Sequence, residues 1–303
     1  MTHQVHSRMV THITARKKPD DYLLLTMGLY HKQVADSIGL FLTCEPCIGY
    51  LGSWCSFRGF ESSFMMHYTY GRNQTDDIGN GKHYDRIIPN YYHLKDFDFC
   101  DEPEDYFVYL GRFVSRKGIA MAYETCKHTN LPLKLAGQGW KEYNKETKTL
   151  TDQDGCAWKL TENMEFIGYV NAKERNKLLR KAKGVFCPSI YMEPFCGVNV
   201  EAQLCGTPVI TTNFGAFTDT VEDGITGFRC DTLNDFVEAT KKIHTLDRKY
   251  IRERAERLYS CENVGKIFEK WFVDLYDVYE STLTYENGEK KGKGWYNIRE
   301  DKD

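Results

Sequence analysis

The stretch from Gly184 to Arg229 limits most sharply what this chain can fold into. Two apolar runs of strand length, GVFCP and PVITT, flank EPFCGVNVEAQLCG, which reads as a short helix closed by Gly206. A helix between two strands makes those strands parallel members of one sheet, joined by a right-handed crossover. Ligands of such sheets sit outside the carboxyl ends of the strands, against helix N-termini. Glu193 precedes the helix and Glu201 lies within it, an E-x7-E spacing that can turn both carboxylates toward one crevice. A carboxylate only accepts hydrogen bonds, so each suits the vicinal hydroxyls of a ribose or a hexose.

The alternation extends in both directions. From Asp101 onward, YFVYLG (106–111), LPLKLAG (131–137), MEFIG (164–168), GVFCP (184–188), TPVITT (207–212) and ITGFRC (225–230) read as strands. Helical patterns at 117–128 and 172–183 separate them, and others follow at 232–244, 247–259 and 262–281. This predicts a doubly wound α/β sheet. Residues 140–163 are polar and charged and read as an exposed loop or hairpin. The first hundred residues are sparser. DYLLLTMG (21–28), GLFLTCE (39–45) and DRIIPN (85–90) read as strands, and LYHKQVADSIG (29–39) reads as a helix. Residues 47–71 read as a glycine-rich loop that becomes a helix from about Phe57. Residues 1–20 read as a solvated arm carrying Arg16, Lys17 and Lys18, and the tail around Trp295 and Tyr296 as loosely ordered. The expected organisation is a reduced α/β domain over 1–100, a complete Rossmann-like domain over 101–261, and a helix with its tail over 262–303.

Composition removes several functional classes. A net charge of −3 does not advertise a nucleic-acid binder. No apolar run reaches the ~18 residues that suggest a membrane-spanning helix, and the first residues lack the apolar core of a secretory signal. Eleven cysteines, an odd number scattered through predicted strands and helices, suit reduced thiols in a cytoplasmic protein better than a disulfide framework. Cys44 and Cys47 form a CEPC pair with no second pair to complete a zinc site. D-x-D triplets occur at Asp96/Asp98, Asp152/Asp154 and Asp301/Asp303, but none follows a strand of the predicted sheet, so no metal site is expected.

EPFCGVNVEAQLCGTPVI followed by GAFTDTVEDGITGF resembles the donor-site signature of retaining GT-B glycosyltransferases of family four. YLGRFVSRKG (109–118) is similar to that family's G-R-x4-K-G element, and IIPN (87–90), KLAGQG (134–139) and EFIGYV (165–170) match its smaller landmarks in order. The resemblance covers roughly residues 85–280. It implies a GT-B-like fold, with a complete Rossmann-like C-terminal donor domain and a reduced α/β N-terminal domain. It also implies a hexosyltransferase that moves a sugar from a nucleotide diphosphate sugar, UDP- or GDP-linked, to an acceptor hydroxyl with retention of configuration. The nucleotide sugar is a co-substrate, and no further cofactor is expected.

By the same resemblance, Arg112 and Lys117 neutralise the diphosphate, Glu193 contacts the transferred sugar and Glu201 binds the ribose. The backbone from Phe195 through Cys196 and Gly197 to Val198 cradles phosphate, while Gly168 and Tyr169 hold the base. Two cations and the helix amides can supply the charge neutralisation that a divalent ion otherwise provides. The chain also departs from the family. Cys196 stands where a glycine is usual, the glycine-rich loop after the first strand is missing, and the first domain shows three strands where six or seven are usual. In place of the family's acceptor-side histidine the corresponding loop offers Glu45, with His31 and His67 nearby in sequence.

Two rival functions stay open on these residues. One is a nucleotide-sugar-binding subunit that needs a partner chain to complete its short first domain. The other is a transferase acting on a hydroxylated base in nucleic acid, suggested by the basic arm. A short parallel sheet with uncovered faces also makes a homo-oligomer an expectation.

Overall fold

The computed structural model describes residues 2–72, 82–281, 283–286 and 289–293. It divides the chain into two compact units, one of residues 1–89 with 264–303 and one of residues 90–263. The break falls after Pro89 rather than at residue 100, because the intervening residues bond within the second unit. Tyr92 N donates to Tyr259 O (2.8 Å), and Cys261 N donates to Tyr92 O (3.0 Å).

The first unit opens with helix α1 (Thr2–Thr14), where the polar composition predicted a solvated arm. Met9, Val10 and Ile13 lie at helical spacing and pack on Leu23, Leu25, Val34, Ala35 and Ile38, and this burial orders the segment. Then come β1 (Leu23–Leu24), α2 (Lys32–Ile38), β2 (Thr43–Ile48), β3 (Phe57–Phe60), α3 (Ser63–Arg72) and β4 (Arg86–Ile87). The four strands form one parallel sheet in the order β1-β2-β3-β4. β3 corrects the expected helix from Phe57, which begins only at Ser63. FRGF conceals a strand because it carries a charge yet buries all four residues. Arg58 is tolerated there because its guanidinium forks onto Asp85, Nε to Oδ1 at 3.2 Å and Nη2 to Oδ2 at 2.7 Å.

The second unit runs β5 (Phe107–Leu110), α4 (Ile119–Thr129), β6 (Leu133–Ala136), β7 (Trp140–Asn144), β8 (Thr149–Asp152), β9 (Ala157–Lys159) and β10 (Met164–Gly168). It continues with α5 (Ala172–Lys181), β11 (Gly184–Cys187), α6 (Gly197–Leu204), β12 (Val209–Thr212), α7 (Phe217–Thr220), β13 (Gly227–Cys230), α8 (Leu233–Lys242) and α9 (Arg248–Tyr259). Six strands make one parallel sheet in the order β10-β6-β5-β11-β12-β13. Its central strands β5 and β11 are buried on both faces, as parallel strands between helix layers must be. In β5, Phe107 and Tyr109 enter a core shared with Ile119 and Tyr123 of α4 and Phe236 of α8. Val108 and Leu110 enter the opposite core, with Leu178 and Leu179 of α5 and Ala202 of α6. The polar segment 140–163 is a three-stranded antiparallel insert, β7-β8-β9.

Helix α10 (Cys261–Ser281) returns the chain to the first unit. Its Val264, Trp271, Leu275 and Val278 bury against Leu42, Cys44, Phe57 and Ile88. The faces that a short sheet was expected to lend to a partner are thus covered by α1, α2 and α10 of the same chain. A hairpin of β14 (Leu283–Glu286) and β15 (Glu289–Lys293) follows. Trp295, Tyr296 and the Asp301/Asp303 triplet lie outside the described residues.

Candidate active site

In the larger sheet β5, β6 and β10 succeed one another in one direction, and β11, β12 and β13 in the other. The order reverses between β5 and β11, and the crevice outside the carboxyl ends of those strands is where an open α/β sheet receives ligand. The loops leaving them are pressed together. Gly118 of the β5–α4 loop has φ +72°, and a Cβ there would collide with Pro188 O; Gly137, φ +136°, stands equally close to Gly111 O. Ile190 N donates to Arg116 O (3.0 Å), tying the loop after β11 to the loop after β5.

Lys117 and Glu193 meet at this reversal. Lys117 Nζ forms a short ion pair with Glu193 Oε1, which also accepts from Ser189 Oγ (2.6 Å). Tyr191 OH donates to Oε2 (2.7 Å), and the Tyr191 ring packs against Arg116 and Lys117, with cation-to-centroid distances of 5.0 and 5.1 Å. Glu193 is 2 % exposed. Burial pulls the Lys117 pKa down, but the Glu193 carboxylate beside it more than reverses this, so the ammonium titrates above its ordinary value. Glu193 therefore acts first as the anchor of a cation, a role that the spacing in sequence did not disclose. Ser189, Tyr191 and Glu193 sit two residues apart along an extended loop, and that alternation was the available signal.

Cys196, the residue before α6, has φ 65°, the left-handed conformation that a glycine takes without strain. The family's usual glycine and this cysteine thus meet one backbone requirement. Phe195 is buried against Val200, Leu204 and Tyr259 and seats the loop, while Gly197 and Val198 begin the helix. Within α6, Gln203 Nε2 donates to Asn199 Oδ1 (2.9 Å) and Asn199 Nδ2 to Thr220 Oγ1 (2.6 Å), which fixes the roll of the helix. Glu201, largely buried on α6, has Arg175 Nε of α5 3.0 Å from its Oε2. That oxygen nevertheless accepts no hydrogen bond, so the contact is an ion pair off the N–H direction. Burial raises the Glu201 pKa, and Arg175 only partly offsets it. A buried carboxylate oxygen without a donor has capacity for a ligand hydroxyl.

The remaining candidates are more dispersed. Arg112 is exposed at the start of the β5–α4 loop, with no side-chain partner among the described residues. Gly168 ends β10 with φ +79° and its carbonyl accepts from Gly137 N (2.8 Å), while Tyr169 is 65 % exposed. Tyr169 borders a cavity of about 440 Å³ with Tyr106, Lys134 and Lys177. The antiparallel insert braces the Arg112–Lys117 loop, through Gln153 N to Phe113 O (2.9 Å) and Ser115 N to Asp154 Oδ2 (2.6 Å). That hydrogen bond from the Ser115 amide holds the Asp154 carboxyl below its ordinary pKa. Asp152 accepts from Cys156 N and Trp158 Nε1, and Asp98 from Asn176 and Arg180, so these two carboxylates brace the fold.

In the first unit, Glu45 is fully buried and accepts from Tyr50 OH (2.9 Å), Trp54 N (2.9 Å) and Cys55 N (3.1 Å). It frames the 50–55 loop and presents no oxygen to an acceptor, which corrects its expected role. His31 packs beside Tyr30 and His6 with its Nδ1 unpartnered, and His67 is exposed on α3 beside Tyr70. All eleven cysteines are free thiols, and burial pushes the Cys44 pKa up to about 12.

The model of the glycosyl transferases group 1 family matches residues 95–258. The putative glycosyltransferase YtcC of Bacillus subtilis is 26 % identical over 200 residues, 61 % of this chain and 47 % of that protein. The uncharacterized glycosyltransferase MJ1607 of Methanocaldococcus jannaschii is 32 % identical over 179 residues, 54 % of this chain and 44 % of that protein. The chain spans about half the length of the curated relatives it matches. Among solved structures, Anabaena Alr3699/HepE in complex with UDP superposes with a TM-score of 0.65 at 14 % identity, covering 89 % of this chain and 82 % of that one. At that identity the likeness concerns the fold, a GT-B-type α/β architecture of parallel sheets.

Proposed function

This chain belongs to the glycosyl transferases group 1 family, and from that premise we propose that it moves a hexose from a UDP- or GDP-sugar to an acceptor hydroxyl with retention of configuration, without a metal ion, in the cytoplasm. The observation that carries the reading is the cation held at the strand-order reversal, Lys117 fixed by Glu193. A diphosphate leaving group gains negative charge as the glycosidic bond breaks, and a preoriented ammonium stabilises it without reorganisation. Arg112, whose side chain has no partner among the described residues, adds a second cation from the same loop, and the amides from Cys196 to Val198 present a helix N-terminus.

Glu201 would accept from the ribose hydroxyls through Oε2, which the ion pair with Arg175 leaves without a hydrogen bond, and Tyr169 would stack on the base from its exposed position. Glu193 would reach a sugar hydroxyl through Oε2, beside or in place of the hydrogen bond from Tyr191. The complex of HepE with UDP lends the donor class support by likeness of fold. Association with a second copy remains part of the proposal, and sedimentation at micromolar concentration decides it.

The test is to incubate the purified chain with a panel of UDP- and GDP-sugars in excess EDTA, following release of the nucleotide and the anomeric configuration of the product by NMR. Release of UDP or GDP with the donor's anomeric configuration kept in the product supports the reading. Loss of all turnover in chelator, restored by manganese or magnesium, contradicts its metal-free part.

A further inference from the structure

Two thiols at the crevice of the larger sheet have no part in the chemistry proposed above. Cys187 is the last residue of β11, and Cys196 is the cap before α6. Cys187 is 5 % exposed and belongs to the core beneath α5 and α6. Cys196 packs against that same core and keeps part of its surface in water. The Cys187 thiol donates to the Cys196 sulfur, and this bond, reinforced by burial, pushes Cys187 well above its ordinary pKa. The segment between them carries Ser189, Tyr191 and Glu193, so a link between the two sulfurs would close a ring around the anchor of Lys117. The CEPC pair of the smaller unit is arranged differently, since Cys44 is fully buried and its thiol donates to Leu42 O (3.8 Å).

Their surroundings divide the roles. Cys196 stands at the N-terminus of an eight-residue helix, with the Lys117 ammonium within electrostatic reach. Such a position, partly open to solvent, is where cysteines react with peroxides. Cys187 keeps its proton, is shielded from solvent and already points at its neighbour. We propose that the two form a redox pair: a peroxide oxidises Cys196, and Cys187 resolves it as a reversible disulfide that withdraws the phosphate cradle. In the first step the Cys196 sulfur takes one peroxide oxygen and becomes a sulfenic acid, and the other oxygen leaves as water with the thiol proton. In the second the Cys187 sulfur bonds to Cys196, and the hydroxyl departs as water with the Cys187 proton. Two thiols are oxidised and one peroxide is reduced. A disulfide holds its sulfurs about 2.05 Å apart, nearer than two hydrogen-bonded thiols stand, so the cap of α6 is drawn toward β11. The amides from Cys196 to Val198 move with it. The loss of donor binding rests on the function proposed above, whereas the disulfide does not.

The test is treatment of the reduced full chain with hydrogen peroxide, alkylation of the remaining thiols, and mass spectrometry of a chymotryptic digest made without reductant. Chymotrypsin cuts after Tyr191 and Phe195, between the two cysteines. The expected product joins the Cys187 and Cys196 peptides, is lighter by two hydrogens than the two free thiols, and comes apart in dithiothreitol. It should form while the exposed Cys156 is still fully alkylated. In Cys187→Ala, with its fold checked by circular dichroism, dimedone should instead trap Cys196 as the sulfenic acid. UDP and GDP titrated into the reduced and the oxidised chain should bind the oxidised form about tenfold more weakly, with affinity restored by dithiothreitol. Alkylation of both cysteines after peroxide, a link from Cys196 to another cysteine, or earlier oxidation of Cys156 overturns the pair. A disulfide that leaves nucleotide affinity unchanged overturns its effect on the site. If the reduced chain binds neither nucleotide, the donor reading fails, and the mass of the joined peptides still decides the disulfide.

Discussion

Lys117→Met separates the anchoring of the cation from its chemistry. The substitution keeps the aliphatic stem and leaves the Glu193 carboxylate, 3 % exposed as a side chain, without its counter-charge. Removing one partner of a buried pair costs about 3–5 kcal/mol. Ser189 and Tyr191 still donate to Glu193, and the Lys117 side chain keeps 20 % of its exposure, so the lower end applies, about 3 kcal/mol. For a unit of this size that lowers Tm by roughly 6–12 °C. Adding Glu193→Gln removes the stranded charge, so the double variant should regain about 1–2 kcal/mol of stability. It should regain no turnover, because the ammonium is still missing from the diphosphate. The assay is a double-mutant cycle by thermal and urea denaturation, with donor turnover measured on the same preparations. A single variant as stable as wild type, or a coupling below about 0.5 kcal/mol, refutes the reasoning.

Other expectations follow from the same geometry. Glu201→Ala and Arg112→Ala should each cut kcat/KM by on the order of ten- to a hundredfold with Tm little changed, since each removes a charge-assisted contact to ligand. Glu201 binds its proton more tightly than an ordinary glutamate (4.5), so donor affinity should fall on acidification before that value is reached; Glu201→Gln should show no such limb in a titration of affinity against pH. Asp154 has its pKa depressed in the fold, so its contribution is full above the ordinary value of 3.8 and is lost as pH falls through the lower, folded value. Urea midpoints should accordingly show wild type more stable than Asp154→Asn at neutral pH and the difference shrinking as pH falls below 3.8. Cys196→Gly should raise stability by about 1 kcal/mol with turnover retained, because the left-handed φ of 65° strains any residue with a Cβ.

Much of the larger unit was legible because its central strands are buried on both faces and read as apolar runs between amphipathic helices. GVFCP and TPVITT are neighbours in the sheet, as their shared helix required. The smaller unit was harder to read for stated reasons. FRGF hides a strand behind a buried ion pair, β1 and β4 are two residues each, and α1 takes its order from packing rather than from propensity. At the site, charge and spacing pointed to Lys117, Glu193 and Glu201, whereas the pairing of Lys117 with Glu193 and the supports that other elements supply were not readable from them. Arg175 on α5 and Asp154 in the insert lie far from those residues along the chain, and only the folded sheet brings them near. Glu45 was misjudged because a carboxylate after a strand has the same appearance in sequence whether it frames a loop or faces a ligand.

The central claim is that the strand-order reversal receives a nucleoside diphosphate. Isothermal titration of UDP and GDP into the purified chain in excess EDTA, alongside Lys117→Met and Glu201→Ala, measures this. The account predicts saturable one-to-one binding of at least one of the two nucleotides to wild type, weakened about tenfold or more in each variant. Absence of binding by both nucleotides, or equal affinity in all three proteins, contradicts it.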